Sequence, residues 1–448
     1  MRRVKGEKRH LLSRVRVIAL GFLAIIAIGT VLLMLPFSTR SGEGASFLDA
    51  LFTATSASCV TGLVVRDTAL YWSVFGQCVI LFLIQLGGLG FMTMATLFFL
   101  LLRQKIGLRQ REMLNESINN IQTGGASRLV LRIVGVTLSL EGAGALLLAI
   151  RFVPQYGWLR GIYRAVFHAV SALCNAGFDL MGSVSGPYSS FTAYASDWLV
   201  SGTLMVLILL GGLGFVVWDD LMTHRHHFKR YRFHTKLVLA ATVVLVVFPA
   251  ILFFLLERHA GGDLSTRILT ALFDTVTPRT AGFNTVDTAA LAPGSKVLTI
   301  LLMFVGGSPG STAGGVKTVT ILVIILSAVA YMRGKRTSGA FGRRFEEDSL
   351  RKATAVCTIN LALTFAVIFT ICLVDTLPLT DLIFEAFSAI GTVGMSTGIT
   401  RELSAVSRLL IALLMYCGRV GSLSFATALT DWNSPNPVTE PEEAVTIG

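Results

Sequence analysis

Long apolar runs recur along the whole chain and constrain its fold more than any other feature of the sequence. A run of about 20 apolar residues is long enough to cross the hydrocarbon core of a bilayer as a helix. Such runs recur from residue 15 to residue 428, so a cleaved secretory signal peptide does not explain them. With 53% hydrophobic and only 14% charged residues, the chain is too apolar for a soluble fold of this length. The sequence therefore predicts an integral membrane protein.

Eight of these runs are long enough to span a membrane, and we expect one crossing for each. They cover 15–37, 72–102, 130–153, 197–218, 236–256, 296–332, 353–374 and 405–428. After the first, third, fifth and seventh run comes a shorter, semi-polar stretch that ends in a glycine motif. These stretches are too short to span, and we predict four reentrant pore helices there. They read FLDALFTATSASCVTGL, YRAVFHAVSALCNAGF, RILTALFDTVTPRTAGF and DLIFEAFSAIGTVGM.

The four stretches repeat one another. Their motif glycines lie about a hundred residues apart, the length of one module of span, half-helix and span. A phenylalanine precedes the glycine by the same offset in three stretches and by one residue less in the third, at Phe52, Phe167, Phe273 and Phe384. An even number of crossings separates successive stretches, so the repeats are parallel. We predict an all-α membrane fold of four tandem helix, pore-loop, helix repeats around one pseudo-fourfold central pore.

The repeats fix the expected boundaries along the chain. The tail after the last run is polar, acidic and rich in Pro and Asn, so it is not a ninth span. The predicted segments are a cytoplasmic N-terminus at 1–14, repeat 1 at 15–103, repeat 2 at 126–222, repeat 3 at 234–333, repeat 4 at 351–429 and a cytoplasmic tail at 430–448.

The positive charge sits between the apolar runs. The net charge of +12 arises mainly from the N-terminus and from segments 103–112, 223–236 and 332–352, which all fall on one side of an eight-span topology. Basic loops of this kind mark the cytoplasmic side, so we expect both termini in the cytoplasm and the glycine motifs approaching from outside. No basic domain is set apart, and we predict no binding of nucleic acid.

Four glycine loops at matching places indicate a cation pathway. A cation that crosses a membrane must exchange its water for other oxygens, and rings of backbone carbonyls supply them. Glycine favours such loops because it tolerates positive φ, and non-helical backbone at this depth must line a cavity or lie buried in protein. A single glycine after a helix is explained as an ordinary C-cap. Four in successive modules are not, and one chain can supply a complete filter.

The motifs resemble the filters of the Trk/Ktr/HKT superfamily of K⁺ transporters. They are CVTGL at 59–63, CNAGF at 174–178, RTAGF at 279–283 and GTVGM at 391–395. The similarity extends through QLGGLGFMT at 85–93, HTKL at 234–237 and GGSPGSTAGGVKT at 306–318, and the eight spans make the chain most similar to bacterial Ktr membrane subunits. Cys59 and Met395 depart from the residues that the family often has at these places. No loop has the TVGYG of dedicated K⁺ channels, so a less discriminating filter is expected.

The resemblance implies the site residues. K⁺ is expected to be the transported ion and to be coordinated by backbone carbonyls of four triplets. These are Val60, Thr61 and Gly62; Asn175, Ala176 and Gly177; Thr280, Ala281 and Gly282; and Thr392, Val393 and Gly394.

The resemblance also implies partners. It implies a homodimer in the cytoplasmic membrane, regulated by a separate cytosolic ring of RCK subunits that bind ATP, ADP or a dinucleotide. No tightly bound cofactor is expected. Transport in the Ktr group depends on Na⁺, which makes Na⁺ a candidate activator.

The sixth run is interrupted by a glycine-rich break at 306–315. Its small and hydroxyl residues do not sustain a lipid-facing helix, so we expect it to unwind inside the bundle. A phosphate-binding P-loop is a poor interpretation, because Val316 separates the glycines from Lys317 and Thr318. The resemblance implies an intramembrane gating loop under the filter. The gating residues are then Gly306, Gly307, Ser308, Gly310, Ser311, Thr312, Gly314 and Gly315. Arg419 in the last span is costly in lipid, so we expect it to form an electrostatic barrier beside the loop, with Lys317 as a weaker candidate. A structural arginine bound to helix-end carbonyls and a snorkelling lysine remain the alternatives.

Other ionisable residues in apolar surroundings need partners. We expect Arg279, next to the third motif, to pair behind the filter with Asp274 or Glu385. Asp49 is expected to complement the dipole of the first pore helix. The sequence has no HExxH, no GxSxG nucleophile elbow between a strand and a helix, and no paired intramembrane carboxylates, so an enzyme is not expected. Channel-like K⁺ uptake is favoured, and a Na⁺- or H⁺-coupled symporter, with Glu141 as a proton-linked carboxylate, remains the alternative.

Overall fold

The computed structural model describes residues 2–90, 93, 126–225, 227–257, 262–335 and 337–421, and all statements about structure concern these residues. The side chains of 2–15, 126–129 and 347 are not described.

The described chain is mostly helical, as the sequence predicted. Fifteen α-helices are joined by short 3₁₀ turns and loops, and two short strands, β1 (Gly339–Ala340) and β2 (Arg343–Arg344), pair antiparallel. The helices are α1 (Arg2–Met34), α2 (Phe47–Ser58), α3 (Val74–Leu89), α4 (Ala126–Tyr156), α5 (Trp158–Leu173), α6 (Gly182–Ser185), α7 (Trp198–Leu213), α8 (Phe215–His224), α9 (Phe233–Leu256), α10 (Leu264–Val276), α11 (Pro293–Phe304), α12 (Thr318–Met332), α13 (Glu347–Val374), α14 (Leu379–Gly391) and α15 (Ala405–Val420).

Four helices are long and apolar enough to cross a membrane unbroken. They contain the apolar stretches Arg16–Met34, Val130–Tyr156, Phe233–Leu256 and Asp348–Val374, in the first, third, fifth and seventh of the expected runs. Large apolar side chains such as Leu146, Val244 and Phe369 remain exposed on these helices, as contact with lipid would require.

The even-numbered runs differ from the expected single spans. Run 197–218 is broken at Gly214, where α7 and α8 meet at 97°, and run 296–332 is divided into α11 and α12. The ends of runs 72–102 and 405–428 lie largely outside the described residues. In the part described, four helices qualify as unbroken spans, or five if the bent pair counts as one. The division of run 296–332 was expected from its glycine-rich break, whereas the bend of run 197–218 at Gly214 was not.

Glycine explains where these helices end. α3, α7 and α15 each stop at a glycine with positive φ: Gly90 at 83°, Gly214 at 96° and Gly421 at 93°. A right-handed helix does not continue through this conformation, and residues with a Cβ adopt it rarely.

Four short helices, α2, α5, α10 and α14, lead into the four glycine motifs. Two of these helices have an N-cap side chain. Ser46 accepts a hydrogen bond from the Asp49 amide at the start of α2, and Asp263 accepts one from the Thr266 amide at the start of α10. The repeated phenylalanines anchor them, since Phe52, Phe167, Phe273 and Phe384 are each at most 1% exposed. In a membrane such rings hold helices together by close van der Waals packing and not by transfer from water.

Candidate ion pathway

The four glycine loops share an unusual backbone conformation. The residue two positions before each glycine has positive φ although it carries a Cβ, and the glycine has positive φ as well. The φ values are 56° at Val60, 58° at Asn175, 70° at Thr280 and 51° at Thr392, and 95° at Gly62, 69° at Gly177, 79° at Gly282 and 92° at Gly394. Positive φ away from glycine costs energy and persists where the surroundings enforce it. The same conformation occurs at matching positions of all four loops, so the repeat seen in the sequence is also a repeat of backbone structure.

The loops also contact one another in a closed cycle. A Cβ at Gly62 would lie 2.4 Å from the Ala176 carbonyl oxygen, and one at Gly177 would lie 2.6 Å from that of Ala281. A Cβ at Gly282 would lie 2.3 Å from the Val393 oxygen, and one at Gly394 would lie 2.1 Å from the Thr61 oxygen. Each glycine thus lies directly beside a carbonyl of the next loop, and the order 1, 2, 3, 4 returns to 1.

A hydroxyl at the C-terminal end of each pore helix braces the loop that follows, a feature that the sequence reasoning missed. It lies in the last turn of α2, α5 and α14 and directly after α10. Ser56 and Ser388 accept from the amides of Gly62 and Gly394 at 3.0 and 3.1 Å. In the other two loops the hydroxyl donates to the carbonyl after the glycine, from Ser171 to Phe178 at 2.7 Å and from Thr277 to Phe283 at 2.6 Å. A shared offset of six residues before the glycine, five in the third loop, could have revealed them.

The glycines of two GGLG runs, at 87–90 and 211–214, pack against the ends of the pore helices. A Cβ at Gly87 would lie 2.1 Å from the Ser58 carbonyl oxygen, and one at Gly211 would lie 2.0 Å from that of Leu173. No residue larger than glycine fits there without displacing the loop that follows.

On one side the cycle of loops opens into a cavity of about 530 Å³. The four motif glycines line it, together with three carboxylates and one cation from the segments that follow the motifs, at Asp67, Asp179, Asp287 and Arg401. Arg401 lies over the ring of Tyr188, 4.2 Å from its centroid. The carboxylates outnumber the cation, so the cavity favours positive ions.

The glycine-rich break lies on the other side of the loops. Thr312 donates its hydroxyl to the Leu173 carbonyl at the end of α5, at 3.1 Å, and a Cβ at Gly314 would lie 2.2 Å from the Thr392 hydroxyl. The break is also tied to the bend between α7 and α8, because Phe215 donates its amide to the Gly310 carbonyl at 2.7 Å. The break therefore contacts the second and fourth loops directly.

Arg419 and Lys317 both bind carbonyls of this region. Arg419 donates to the carbonyl oxygens of Thr312 and Gly87, and to that of Gly88 at 3.3 Å. Lys317 donates to the Ala313 carbonyl at 2.6 Å. Neither has a carboxylate partner within 4.0 Å among the described residues, so two positive charges are held at the break by backbone oxygens alone.

Arg279 does not have the partner that we expected. It is 4% exposed, and its guanidinium reaches the hydroxyl of Thr242 on α9 at 3.5 Å. Glu385 instead accepts from Thr400, and Asp274 faces a separate cavity. Pairing with either carboxylate was thus a wrong expectation, because the Arg279 side chain extends towards α9.

Asp49 and Glu141 lie at two further buried positions. Asp49, in the first turn of α2, binds Arg66 at 3.0 Å and Arg408 of α15 at 3.2 Å, so it also joins the first module to the last. Glu141 of α4 hydrogen-bonds Gln85, which in turn accepts from the Cys174 thiol at 3.6 Å. The Glu141 Oε1 atom has no hydrogen-bond partner in the part of the chain that the structure describes.

Comparison with known proteins identifies the family. The family model TrkH, described as a cation transport protein, matches residues 13–436. The chain is 41% identical to Ktr system potassium uptake protein B of Bacillus subtilis, with 94% of each chain covered, and 38% identical to potassium/sodium uptake protein NtpJ of Enterococcus hirae, with 99% of each covered. Its fold is similar to the crystal structure of the potassium transporter TrkH from Vibrio parahaemolyticus, with a TM-score of 0.70, 20% identity, and coverage of 92% of this chain and 84% of that one.

The apolar helices and the cycle of loops define a membrane transport protein, and not an enzyme. The chain belongs to the TrkH family of cation transport proteins.

Proposed function

We propose that this chain is the ion-translocating subunit of a Ktr-type K⁺ uptake system in the cytoplasmic membrane. The cyclic contact of the four glycine loops carries the proposal, because it brings four carbonyl-rich turns of one chain around one axis. In it K⁺ passes through a pseudo-fourfold pore whose filter consists of the carbonyls of 60–62, 175–177, 280–282 and 392–394. The names of the relatives, potassium uptake and potassium/sodium uptake, support K⁺ as the transported ion.

The chemistry of the loops supports coordination by carbonyls. The side chains of the twelve residues are neutral, so no fixed charge competes with carbonyl dipoles. Positive φ at two positions of each loop turns successive peptide units away from a helical course, which a ring of inward carbonyls requires.

In this proposal the glycine-rich break, 306–315, is the gate. It contacts the second and fourth loops, and the cations Arg419 and Lys317 hold its carbonyls. Positive charge directly beside the path of a cation raises the barrier to its passage. Moving the break would separate it from Arg419, shift Lys317 with it and open the cytoplasmic side.

The expected module boundaries, both termini in the cytoplasm, and a homodimer belong to the same proposal. In it the even-numbered spans cross with a break at their glycines. The word system in the names of the Ktr relatives supports further subunits, which we infer to be a cytosolic ring of nucleotide-binding RCK subunits.

A Na⁺- or H⁺-coupled symporter is the second candidate. One observation favours it: Glu141 is 6% exposed, lies behind the second loop through Gln85, and has one oxygen without a partner among the described residues. A buried carboxylate of this kind is a candidate proton carrier.

Flux through the purified chain in liposomes separates the two candidates. We expect K⁺ to move down its own gradient with no Na⁺ gradient and no pH gradient, and Glu141→Gln to retain this flux. K⁺ movement that requires either gradient, and that Glu141→Gln abolishes, would replace the pore by the symporter.

A further inference from the structure

A second cavity of about 430 Å³ lies beside the ion pathway. It is enclosed by the C-terminal end of α9, by α10 and by the segment 286–292. Val286 and Asp287 also line the cavity above the glycine loops, so the two cavities share a wall. Apolar side chains form much of the lining, at Phe253, Phe254, Leu256, Leu291 and Ala292.

The charge in this second cavity is unbalanced. Three carboxylates, of Glu257, Asp274 and Asp287, face it with one cation, Arg267. Asp274 is only 5% exposed, and within the described ranges its carboxylate makes no hydrogen bond or ion pair. A buried carboxylate without a partner is unfavourable, so it must carry a proton or be neutralised by a cation.

Arg267 does not supply that cation. Its guanidinium carbon lies 4.8 Å from the centroid of the Phe254 ring, over which it stacks. Its Nε atom is buried without a hydrogen-bond partner in the part that the structure describes. The other two carboxylates each accept one backbone hydrogen bond of 3.0 Å, Glu257 from the Ala292 amide and Asp287 from the Ala289 amide. Among the described residues of the lining, the buried Asp274 carboxylate is thus left without a partner, at the inner wall.

The size and lining of the cavity select the class of ligand. The described residues include no group of three or more His, Cys, Asp or Glu arranged to hold a metal ion. The volume lies in the range of small-molecule pockets, about 300–1,000 Å³, and the walls are mainly apolar with few polar groups. An ammonium group on a short apolar body matches both the carboxylate and the aromatic walls.

We propose that this cavity binds a small organic cation, whose ammonium group pairs with Asp274 and whose apolar part packs against Phe253 and Leu291. The ammonium group belongs either to a free amine or to the headgroup of an aminophospholipid. Binding here is separate from ion conduction, so its test does not depend on the proposed pore.

Thermal unfolding of the full-length protein in detergent tests the site, with butylammonium chloride as the probe and sodium chloride at equal ionic strength as the reference. We expect butylammonium to raise the melting temperature of the wild type. Asp274→Asn should weaken its apparent affinity by about tenfold or more, the effect of losing a charge-assisted contact. Asp348→Asn, an exposed carboxylate outside the cavity, is the matched control and should bind like the wild type.

Arg267→Gln keeps the proposal testable if Asp274→Asn fails to fold. It removes the only cation from the described lining, so butylammonium should bind as tightly as in the wild type or more tightly. Absence of any stabilisation by butylammonium in the wild type, or equal affinity in Asp274→Asn, would overturn the site and leave Asp274 as a protonated structural residue.

Nanodiscs distinguish the two sources of the ammonium group. If the ligand is a lipid headgroup, phosphatidylethanolamine should stabilise the wild type more than phosphatidylglycerol, and Asp274→Asn should remove the difference. If the ligand is a free amine, butylammonium should stabilise equally in both lipids. Lack of response to both the lipid and the amine would contradict the proposal.

Discussion

A Cβ at Gly394 would lie 2.1 Å from the carbonyl oxygen of Thr61. This contact joins the fourth glycine loop to the first, which precedes it by more than three hundred residues. Because the other three contacts link successive loops, it is the one that closes the cycle. Any side chain at Gly394 must displace the Thr61 carbonyl, which in our account faces the ion.

Removing a hydroxyl brace should loosen its loop. Ser388→Ala removes the acceptor for the Gly394 amide, and one hydrogen bond contributes about 1 kcal/mol, or about fivefold in an equilibrium. We expect the preference for K⁺ over Na⁺ to fall by a factor of this order, measured by competing Na⁺ uptake into liposomes. Ser388→Thr, which keeps a hydroxyl, should retain the preference. Equal loss in the Ala and Thr variants would refute the brace.

Removing the charge at the break should open the pathway. Arg419→Gln loses the donors to Thr312 and Gly87, which lie on different elements, so the break is freed and the barrier is lowered. We expect faster passive K⁺ flux in liposomes without any partner subunit. Lys317→Gln should have a smaller effect, because Lys317 binds only carbonyls of the break itself. Unchanged or slower flux in folded Arg419→Gln would show that the arginine is only structural.

Asp49 should matter for stability more than an exposed acid. Asp49→Asn weakens two ion pairs around a carboxylate that is 4% exposed, and we expect a loss of about 1–3 kcal/mol in the free energy of unfolding. The matched control is Asp348→Asn, whose 3.5 Å pair with Lys352 is exposed on both sides and should contribute at most a few tenths of a kcal/mol. Equal unfolding midpoints for the two variants would contradict the link between the first and last modules.

In the proposed orientation, external pH should act through Asp179, which follows the second glycine motif. Burial, then the neighbouring Asp67 carboxylate, raises the pKa of Asp179 from 3.8 to about 6. Above pH 6 its charge helps to concentrate cations in the cavity, so the half-saturating K⁺ concentration should rise as the external pH falls from about 7.5 to about 5.5. The raised pKa also means that Asp179 lowers the stability of the fold as pH increases from about 4 to about 6.

Asp179→Asn should make K⁺ uptake at low K⁺ concentration less dependent on pH across this window, and weaker at pH 7.5. An undiminished pH dependence in the variant would assign the titration to another group.

Local patterns in the sequence predicted the parts of the fold that repeat. The offsets of Phe52, Phe167 and Phe384 marked the pore helices, whose anchoring rings are buried. The length of apolar runs 72–102 and 197–218 suggested unbroken spans, although each contains a GGLG sequence. α3 and α7 end where Gly90 and Gly214 adopt positive φ, and the length of an apolar run does not predict that conformation.

Contacts between distant parts of the chain could not be predicted in the same way. Asp49 and Arg408 are 359 residues apart, and only the closing of the bundle brings them together. The predicted partner of Arg279 was wrong for the same reason, because the direction of the Arg279 side chain depends on how α9 packs against the loop. The sequence alone gives residue types and spacings, but it does not show which residues of different modules contact one another.

The central claim is that four loops form one selective ring, and substitution of its glycines tests it most directly. K⁺ and Na⁺ flux should be measured in liposomes for Gly62→Ser and Gly394→Ser, with Gly42→Ser as the control. Gly42 also has positive φ, at 76°, but a Cβ there meets nothing within 4 Å. The account predicts that the preference for K⁺ falls in both loop variants and persists in the control. An unchanged preference in both folded loop variants would contradict it.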